Sequence, residues 1–369
     1  MRIATFLMLC ALLAVGCGRD MSADRLATST PAPGSLSAGG KYPELITFGW
    51  QPDADYLLSI DTRTGLGTLG PVLDRGPSFG SFGLTFDLEG TCYAFMAFLN
   101  GENKSYLARI DMQTGATTPV NLDTPYDLIF AGPDIDSKGN LYVTGFTVGP
   151  PEDPENPAWW GGYDLWRVDK STGALTLVGD TRVGTGGEFA GEWMDLAFDS
   201  RDRCWTTCRN KLFLLDTTDG HATYVTDITG VPTEYIPDDE CPEDWQYMEV
   251  MDIAFDENDV LWASAIRGFS PCPGFKNAPV MRIDVNTGEG FVVGYAHTGG
   301  QNHGGDIMPS KVKVCHKAGK SGRYVSLEIS LMDLADHRAH GDLVPGVDFE
   351  GCNCPADDTG RTGDGFAGQ

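Results

Sequence analysis

A short segment that recurs five times constrains this chain more than any other feature. Each copy is an apolar strand that ends in Asp, followed by two residues, then Thr or Asp, then Gly. The Asp side chain bonds backbone amides two residues further on, and Gly takes the positive φ of the turn, so each copy predicts a β-hairpin. The copies occupy residues 56–65, 106–115, 165–173, 212–220 and 280–288.

A second segment alternates with the first. It begins with Gly or Asp and ends in Phe or Ile followed by Asp, and an apolar strand that often contains Tyr or Trp comes next. Two hairpins per repeat give a four-stranded antiparallel unit, and radial repetition of such units gives a β-propeller. The copies occupy residues 83–87, 132–136, 195–199 and 252–256.

The two ends of the repeat region predict how the ring closes. Residues 44–50 have the pattern of a second strand with no first strand before it, and residues 306–308 that of a first strand with no partners after it. A blade shared between the termini would close the ring and protect its edges. We therefore expect an all-β fold, a five-bladed β-propeller over residues 41–310 that is closed by N- and C-terminal strands. An open sandwich or a solenoid is the alternative.

The N-terminus has the pattern of an export signal. Arg2 precedes an apolar run at residues 3–15, which is too short to span a bilayer and typical of a signal peptide. We expect this signal peptide at residues 1–17. Residues 18–40 are small, polar and rich in Pro and Gly, which predicts a flexible tether.

The end of the signal resembles the bacterial lipobox, in which small residues precede a Cys. That resemblance, carried by the segment from Leu13 to Cys17, implies that Cys17 is diacylated and anchors the protein to a membrane. Gly18 in place of Asp implies the outer membrane or cell surface as the location in the cell envelope. A plain signal peptide with an incidental Cys is the alternative.

Charge and cysteine content narrow the class of partner and the compartment. The chain has 52 acidic and 26 basic residues and a net charge of −26, which argues against nucleic acid as a partner because phosphates require clustered Lys and Arg.

Export permits disulfides, and eight of the ten Cys lie outside the signal and the lipobox. Cys241 and Cys272 fall in loops on one face of the predicted propeller, so we expect them to pair.

Acidic residues recur where the first strand of each blade enters the central channel. The last three blades carry Glu or His three residues before an Asp, and gathered carboxylates repel one another unless a cation compensates. Oxygen ligands favour Ca²⁺ or Mg²⁺, and a His shifts the preference toward other divalent cations. The candidate metal ligands at this mouth are Glu192, Asp195, Glu249, Asp252, His303 and Asp306. The alternative is that each Asp bonds backbone amides at the start of its strand.

The repeat resembles that of extracellular propellers of the regucalcin and gluconolactonase class. The resemblance covers residues 41–310 and rests on the segment Asp-x-x-Thr-Gly followed by Gly-Leu-x-Phe-Asp. It implies a metal-dependent, lactonase-like hydrolase that uses the acidic cluster. The chain lacks the Pro-Asp-Gly lead-in of those lactonases, and propellers host many functions, so the repeat specifies a fold rather than an activity.

Long aromatic insertions are expected to crowd the same mouth of the channel. They lie at residues 150–162, 233–247 and 268–279. Exposed aromatic side chains on loops above a rigid scaffold suit recognition of a glycan, a peptide or a protein, whereas packing as a lid over the channel is the alternative. The candidate ligand-binding residues are Trp159, Trp160, Trp193, Trp245 and Tyr247.

A separate module is predicted at residues 311–354, and residues 355–369 have the composition of a disordered tail. The predicted module contains a Val-Cys-His segment and a segment like Ala-His-x-x-His-Gly-Asp. These two segments resemble a C-terminal module of many bacterial surface proteins. A helical pattern covers residues 330–339, with Ser330 and Asp333 as a capping box.

The Cys and His residues of this module have two interpretations. Zinc or copper ligation would use Cys315, His316, His337 and His340. The other interpretation is a disulfide from Cys315 to Cys352 or Cys354, for which we take Cys352 as the partner, with the His residues hydrogen-bonded.

Two functional hypotheses follow from the sequence. The first is an envelope-anchored binding propeller that recognises a glycan, peptide or protein at the channel mouth. The second is a metal-dependent hydrolase at the same mouth. The binding hypothesis is preferred because the sequence contains no Ser-His-Asp arrangement and no nucleophile elbow.

Overall fold

In the part of the chain that the structure describes, the strands form five four-stranded antiparallel sheets and a two-stranded hairpin. The computed structural model describes residues 44–51, 54–74, 78–98, 105–122, 129–146, 163–185, 193–232, 248–267, 278–296, 301–318, 323–330, 333–344 and 354.

Each four-stranded sheet is one blade of a propeller. Blade 1 contains β1 (Glu44–Gln51), β2 (Ala54–Asp61), β3 (Gly67–Val72) and β20 (Gln301–Ile307). Blade 2 contains β4 (Ser78–Phe86), β5 (Cys92–Phe98), β6 (Ser105–Ile110) and β7 (Thr117–Pro119). Blade 3 contains β8 (Ile129–Ile135), β9 (Leu141–Phe146), β10 (Tyr163–Val168) and β11 (Leu175–Asp180). Blade 4 contains β12 (Leu196–Phe198), β13 (Cys204–Cys208), β14 (Lys211–Leu215) and β15 (Ala222–Asp227). Blade 5 contains β16 (Met248–Phe255), β17 (Leu261–Arg267), β18 (Pro279–Ile283) and β19 (Gly290–Tyr295).

Blade 1 closes the ring with strands from both ends of the repeat region. Its strand order is β20-β1-β2-β3, with Ile307 opposite Leu45, and the Met308 N–H donates to the Glu44 carbonyl at 3.2 Å. The inner strand β20 contacts β16 on one side and β4 on the other. The predicted five-bladed propeller with a composite blade is therefore confirmed.

One rim of the propeller is built from short turns stabilised by Asp side chains. After the third strand of a blade, an Asp accepts the N–H two residues on, as Asp61 does from Arg63 at 2.8 Å. After the first strand, an Asp accepts two N–H groups, as Asp256 does from Asn258 at 2.8 Å and Val260 at 3.0 Å. We call this side the tight-turn rim.

The longest connections start at the opposite rim. Ile129, the first residue of β8, pairs with Phe146, so the connection 147–162 leaves the blade beside the start of its inner strand. Met248 pairs with Arg267, which puts the start of the connection 268–277 at the same end. We call this side the long-connection rim.

The apolar core lies between neighbouring blades, where sheet faces bury each other. Phe95 of blade 2 packs on Phe130 of blade 3 with ring centroids 4.5 Å apart, and Trp205 of blade 4 lies 6.2 Å from Phe255 of blade 5. Because every blade is covered on both faces, a strand can be buried along its whole length, as β13 is.

A small module follows β20 and packs on the tight-turn rim. It consists of the hairpin β21 (Lys311–Ala318) and β22 (Arg323–Ser330) and the helix α1 (Leu334–Ala339). Its buried Val312 and Val314 form a cluster that includes Leu88 of the propeller. No helix in the described part of the chain is long and apolar enough to cross a membrane.

The helix is shorter than predicted. Ser330 ends β22 instead of starting a helix, and the Asp333 side chain makes no capping hydrogen bond. Strand pairing over the whole of β22, from Arg323 opposite Ala318 to Ser330 opposite Lys311, takes the residues that the sequence pattern assigned to the first turn.

Cys315 forms a disulfide with Cys354, with Cα atoms 5.3 Å apart. This corrects the assignment of Cys352 as the partner, because spacing alone does not say which of two Cys residues two positions apart reaches β21. Cys92, Cys204 and Cys208 are buried and lie in the strands of blades 2 and 4. Cys17, Cys241 and Cys272 lie outside the described residues, so their predicted roles stay predictions.

Candidate functional site

Two of the predicted mouth carboxylates connect blades through backbone bonds. Asp195 accepts the Leu196 N–H beside it at 3.0 Å and, across the blade boundary, the Ile253 N–H of β16 at 3.0 Å. Asp252 accepts the Gly304 N–H of β20 in the same way. Both carboxylates are fully buried. Their oxygens are thus engaged by donors that hold blade 4 to blade 5 and blade 5 to blade 1.

A second pair of carboxylates continues this pattern. Asp134 in β8 accepts the Phe198 N–H of blade 4 at 2.5 Å, and Asp306 in β20 accepts the Phe86 N–H of blade 2 at 2.9 Å. The Thr85 hydroxyl lies 3.0 Å from an oxygen of each carboxylate and so connects blade 2 to blade 3. The five side chains form a closed ring of inter-blade contacts, which we call the carboxylate belt: Thr85, Asp134, Asp195, Asp252 and Asp306.

The strand register corrects the alignment of the last repeat. Ile307 pairs with Leu45 as Phe255 pairs with Leu261, so the residue equivalent to Asp252 is Gly304 and not Asp306. Asp306 instead matches Asp134, which the sequence analysis did not select. The Asp-Ile pair that ends both β8 and β20 is the signal that would have found it.

Burial raises the pKa of every carboxyl in the belt. For Asp252 and Asp306 the pKa reaches about 6, although hydrogen bonds to both groups act in the opposite direction. The pKa of Asp195 is raised by burial and then by the charge of Asp252, and that of Asp134 by burial and then by the charge of Asp306. The belt therefore binds protons more readily than exposed carboxylates do.

The two contacts of the Thr85 hydroxyl favour a state in which one of the two carboxyl groups, Asp134 or Asp306, is protonated. A hydroxyl carries one hydrogen and so donates to one acceptor at a time, yet Thr85 lies at hydrogen-bond distance from two carboxyls. The second contact becomes favourable when one carboxyl is protonated and donates to the hydroxyl. The raised pKa values of Asp134 and Asp306 agree with that arrangement.

The described residues of the predicted channel-mouth metal site do not converge on one point. Among the described His, Cys, Asp and Glu residues, the three-ligand group within 4.8 Å lies in the C-terminal module, not at the channel. Glu249 is half-buried in β16. Glu192 lies outside the described residues, as does the side chain of His303, whose backbone pairs with Phe48 in blade 1.

Asp306, one of the predicted mouth carboxylates, lies at the opposite rim from the long insertions. Asp134 and Asp306 each lie one residue before the end of an inner strand, at the tight-turn rim, whereas the connections after Phe146 and Arg267 start at the other rim. The expectation of a common mouth therefore does not hold for Asp306, whereas Glu249, the second residue of β16, lies at the rim where these connections start.

A cavity of about 500 Å³ occupies the channel mouth at the tight-turn rim. The first residues of β21, including Lys311 and Lys313, line one side of it, while Asp134 and Asp306 supply its acidic wall. Each blade contributes the last residue of its inner strand, and the resulting apolar ring consists of Phe86, Ile135, Phe198, Phe255 and Ile307.

Trp193 does not present a surface for a ligand. Its side chain is 1% exposed, its ring packs edge-on against Phe213 with centroids 4.9 Å apart, and its indole N–H donates to the Thr181 hydroxyl at 2.5 Å. This corrects its assignment as a ligand-binding residue. The other four candidates lie outside the described residues: Trp159, Trp160, Trp245 and Tyr247.

The C-terminal module brings two of its predicted metal ligands together and excludes the other two. His316 Nδ1 lies 2.8 Å and His337 Nδ1 2.6 Å from the same oxygen, Oδ2 of Asp342. Cys315 is consumed in a disulfide, and His340 is exposed at the end of α1, outside this group. Sequence reasoning missed Asp342, although it lies two residues after His340 in the His-Gly-Asp segment.

The local chain geometry explains why Asp342 reaches both imidazoles. Gly341 has a φ of +88° and ends α1, and the Asp342 N–H then donates to the His337 carbonyl at 3.2 Å. The other carboxylate oxygen accepts the Lys317 N–H at 2.9 Å. Burial acts to raise the pKa of Asp342, but the hydrogen bonds from His316, Lys317 and His337 outweigh it and lower that pKa.

No family model and no curated protein matches the chain. Solved structures resemble it at low identity. A Bacteroides caccae protein of unknown function is 12% identical with a TM-score of 0.43, over 73% of this chain and 99% of that one. A gluconolactonase from Xanthomonas campestris is 12% identical with a TM-score of 0.38, over 72% and 80%. A Dyadobacter fermentans protein of unknown function is 13% identical with a TM-score of 0.38, over 74% and 85%. At this level of similarity no activity is carried over to this chain.

Proposed function

We propose that this protein is a binding propeller anchored to the cell envelope, and that it recognises a glycan, peptide or protein at the long-connection rim. One observation carries the proposal: the two rims differ in construction. The tight-turn rim consists of short turns whose backbone amides are satisfied by Asp side chains, while the longest connections start at the other rim. Rigid scaffolds that present long loops on one side are typical of binding proteins.

The direction of the chain at its N-terminus supports this assignment of faces. Glu44, where the described chain begins, pairs at the tight-turn rim, and its carbonyl accepts the Met308 N–H there. A lipid on Cys17 would therefore connect through residues 18–43 to the tight-turn rim. The long-connection rim would then lie on the side away from the tether attachment, where the tether leaves it accessible to extracytoplasmic partners.

The alternative, a metal-dependent hydrolase at the acidic mouth, has less support. A metal ligand or general base needs free lone pairs, and the oxygens of Asp195 and Asp252 accept hydrogen bonds from strands that form the ring. Stoichiometric Ca²⁺ retained after gel filtration and lost on Asp252→Asn substitution would favour that alternative.

The binding proposal is tested with Trp159→Ala and Trp160→Ala variants of the exported chain. The probes are immobilised cell-wall glycans and a peptide library, with Leu66→Ala as the matched control because Leu66 is 52% exposed on the tight-turn rim. We expect loss of a bound probe by the Trp variants and retention by the control. Equal binding by all three proteins would contradict recognition at the long-connection rim.

The anchor is tested separately with Cys17→Ser. We expect metabolic labelling with a radioactive fatty acid to be lost and the protein to move from the membrane fraction to the soluble envelope fraction. An unchanged distribution and label in the variant would exclude lipidation at Cys17.

A further inference from the structure

The C-terminal module contains a cluster of two His and one Asp that the binding proposal does not use. Two imidazole nitrogens and one carboxylate oxygen lie within 4.8 Å of one another, from His316, His337 and Asp342. The two rings are 5.7 Å apart and inclined at 72°, so they approach the carboxylate from different directions. Three convergent ligand atoms of this kind match the three protein ligands of a catalytic zinc site, in which water or substrate takes the fourth position.

The Asp342 side chain is buried and the two imidazoles are partly exposed, so an ion can reach the group from solvent. The Asp342 side chain is 1% exposed, while those of His316 and His337 are 34% and 23% exposed. The carboxylate forms the closed base of the site and the imidazoles its open edge. Catalytic and exchangeable metal sites likewise keep a coordination position open to solvent.

The three ligating residues come from separate elements that other bonds hold together. His316 lies on β21, His337 on α1, and Asp342 on the segment that returns to β21. Cys315 pairs with Leu343 through backbone bonds of 2.7 and 3.2 Å, and its disulfide fixes the same strand position. The donors are therefore positioned before any ion binds, which lowers the entropy cost of binding.

The donor set selects the class of metal. Two imidazoles and one carboxylate favour Zn²⁺ and neighbouring transition-metal ions over Ca²⁺ and Mg²⁺, which prefer an all-oxygen set. Ligand atoms around tetrahedral zinc lie about 3.3 Å apart, given bonds of about 2.0–2.1 Å. The Nδ1–Oδ2 distances of 2.6 and 2.8 Å are those of hydrogen bonds, so an ion would replace the two bonding protons and widen the group by roughly half an ångström.

We propose that His316, His337 and Asp342 bind one transition-metal ion, and that Zn²⁺ is the ion bound in the cell. A solvent molecule or a partner ligand completes the coordination. Metal binding releases any proton held between each imidazole and the carboxylate. The site lies on the opposite side of the propeller from the long-connection rim and is independent of recognition there.

The test is calorimetric titration of the exported chain, from residue 18 onward, with Zn²⁺ in excess Ca²⁺, which occupies weak carboxylate sites on this acidic surface. We expect about one Zn²⁺ per chain. His316→Gln and His337→Gln should each weaken binding by more than about 100-fold, since loss of a hydrogen-bond partner of a ligand already costs about 10- to 100-fold. His340→Ala is the matched control, since it removes an exposed imidazole at the end of the same helix and should leave affinity unchanged.

A spectroscopic readout separates ligation from a loss of structure. Co²⁺ bound to the wild-type chain should give the strong visible absorption of a tetrahedral site, and each His variant should lose it while keeping its far-UV spectrum and its disulfide. Stoichiometric Zn²⁺ binding that survives in the double variant His316→Gln/His337→Gln would overturn the proposal. Absence of saturable Zn²⁺ binding by the wild-type chain would overturn it as well.

Discussion

At the scale of single residues, aspartate serves two different structural roles in this molecule. In the turns after the third strand of each blade it is exposed or half-buried and accepts amides a few residues away, as Asp284 accepts the Asn286 N–H at 2.8 Å. In the carboxylate belt it is buried and accepts an amide from the next blade, as Asp195 does from Ile253. The two roles differ in energy because a buried donor that loses its acceptor has no water to replace it.

Asp195→Ala should therefore destabilise the protein much more than Asp284→Ala. The first change leaves the Leu196 and Ile253 amides without an acceptor in a buried position, which costs about 2–4 kcal/mol. The second removes two exposed bonds from Asn286, which water can replace, and should cost about 1 kcal/mol. Urea denaturation of both variants measures the difference, and equal losses would contradict the inter-blade role of Asp195.

Asp252 should make stability depend on pH. Its pKa in the folded state is raised from 3.8 to about 6, so the folded state binds the proton more tightly than the unfolded state. The corresponding stability is complete below about pH 4 and is lost as the pH rises through about 6, by on the order of 3 kcal/mol at most.

Asp252→Asn is the matched test of this pH dependence. The asparagine carbonyl can accept the Gly304 N–H, and its amide can donate to the Ser264 hydroxyl, because a hydroxyl also accepts. We expect the free energy of unfolding of the wild type to fall more steeply than that of the variant between about pH 5 and pH 7.5. Parallel pH profiles would show that Asp252 does not titrate in this range.

At the scale of secondary-structure elements, close packing of the inner strands decides which residues are allowed. A Cβ atom on Gly132 would lie 1.5 Å from Asp195 Oδ1, so the carboxylate fits only because blade 3 has no side chain there. Gly132 also donates its N–H to the Met194 carbonyl at 3.3 Å. The glycine of one repeat and the aspartate of the next are thus complementary parts of one blade junction.

Gly132→Ala should destabilise the protein by more than about 3 kcal/mol, because both the belt carboxylate and the neighbouring strand would have to move. Gly49→Ala is the control: its added Cβ would meet its nearest neighbours at 3.8–3.9 Å, an ordinary contact, and should change stability by less than about 1 kcal/mol. Thermal and urea unfolding compare the two. Similar stabilities would show that the junction adjusts to the extra methyl group.

At the scale of the whole molecule, ring closure depends on a strand near the end of the chain. β20 supplies the inner strand of blade 1, the Gly304 amide for Asp252 and the Asp306 carboxylate for Phe86. Blade 1 thereby connects to both blade 5 and blade 2. The C-terminal module packs outside this ring, through contacts such as the ion pair between Arg338 and Glu89.

Truncation separates these two contributions. A chain that ends at residue 310 should keep the cooperative unfolding of the propeller, because all five blades remain. A chain that ends at residue 300 should lose it, because β1 becomes an open edge and the belt loses two of its links. Circular dichroism during heating measures both. Cooperative unfolding of the shorter chain would contradict closure by β20.

The sequence by itself determined the local structure of this protein: the Asp-capped turns, the four-stranded repeat and the composite blade. These features depend on interactions between residues a few positions apart, such as Asp61 with Arg63, or on a period that is visible in the chain. The presence of His316 and His337 as possible ligands was also predictable from residue type.

Only the tertiary structure decided how distant residues are combined. It matched Asp306 with Asp134 instead of Asp252, buried Trp193, paired Cys315 with Cys354 and added Asp342 to the two imidazoles. Each of these outcomes depends on strand register or on chain reversal at a single residue, and a shift of one or two positions changes which atoms meet. Local patterns do not encode that register, because it is set by the packing of one blade against the next.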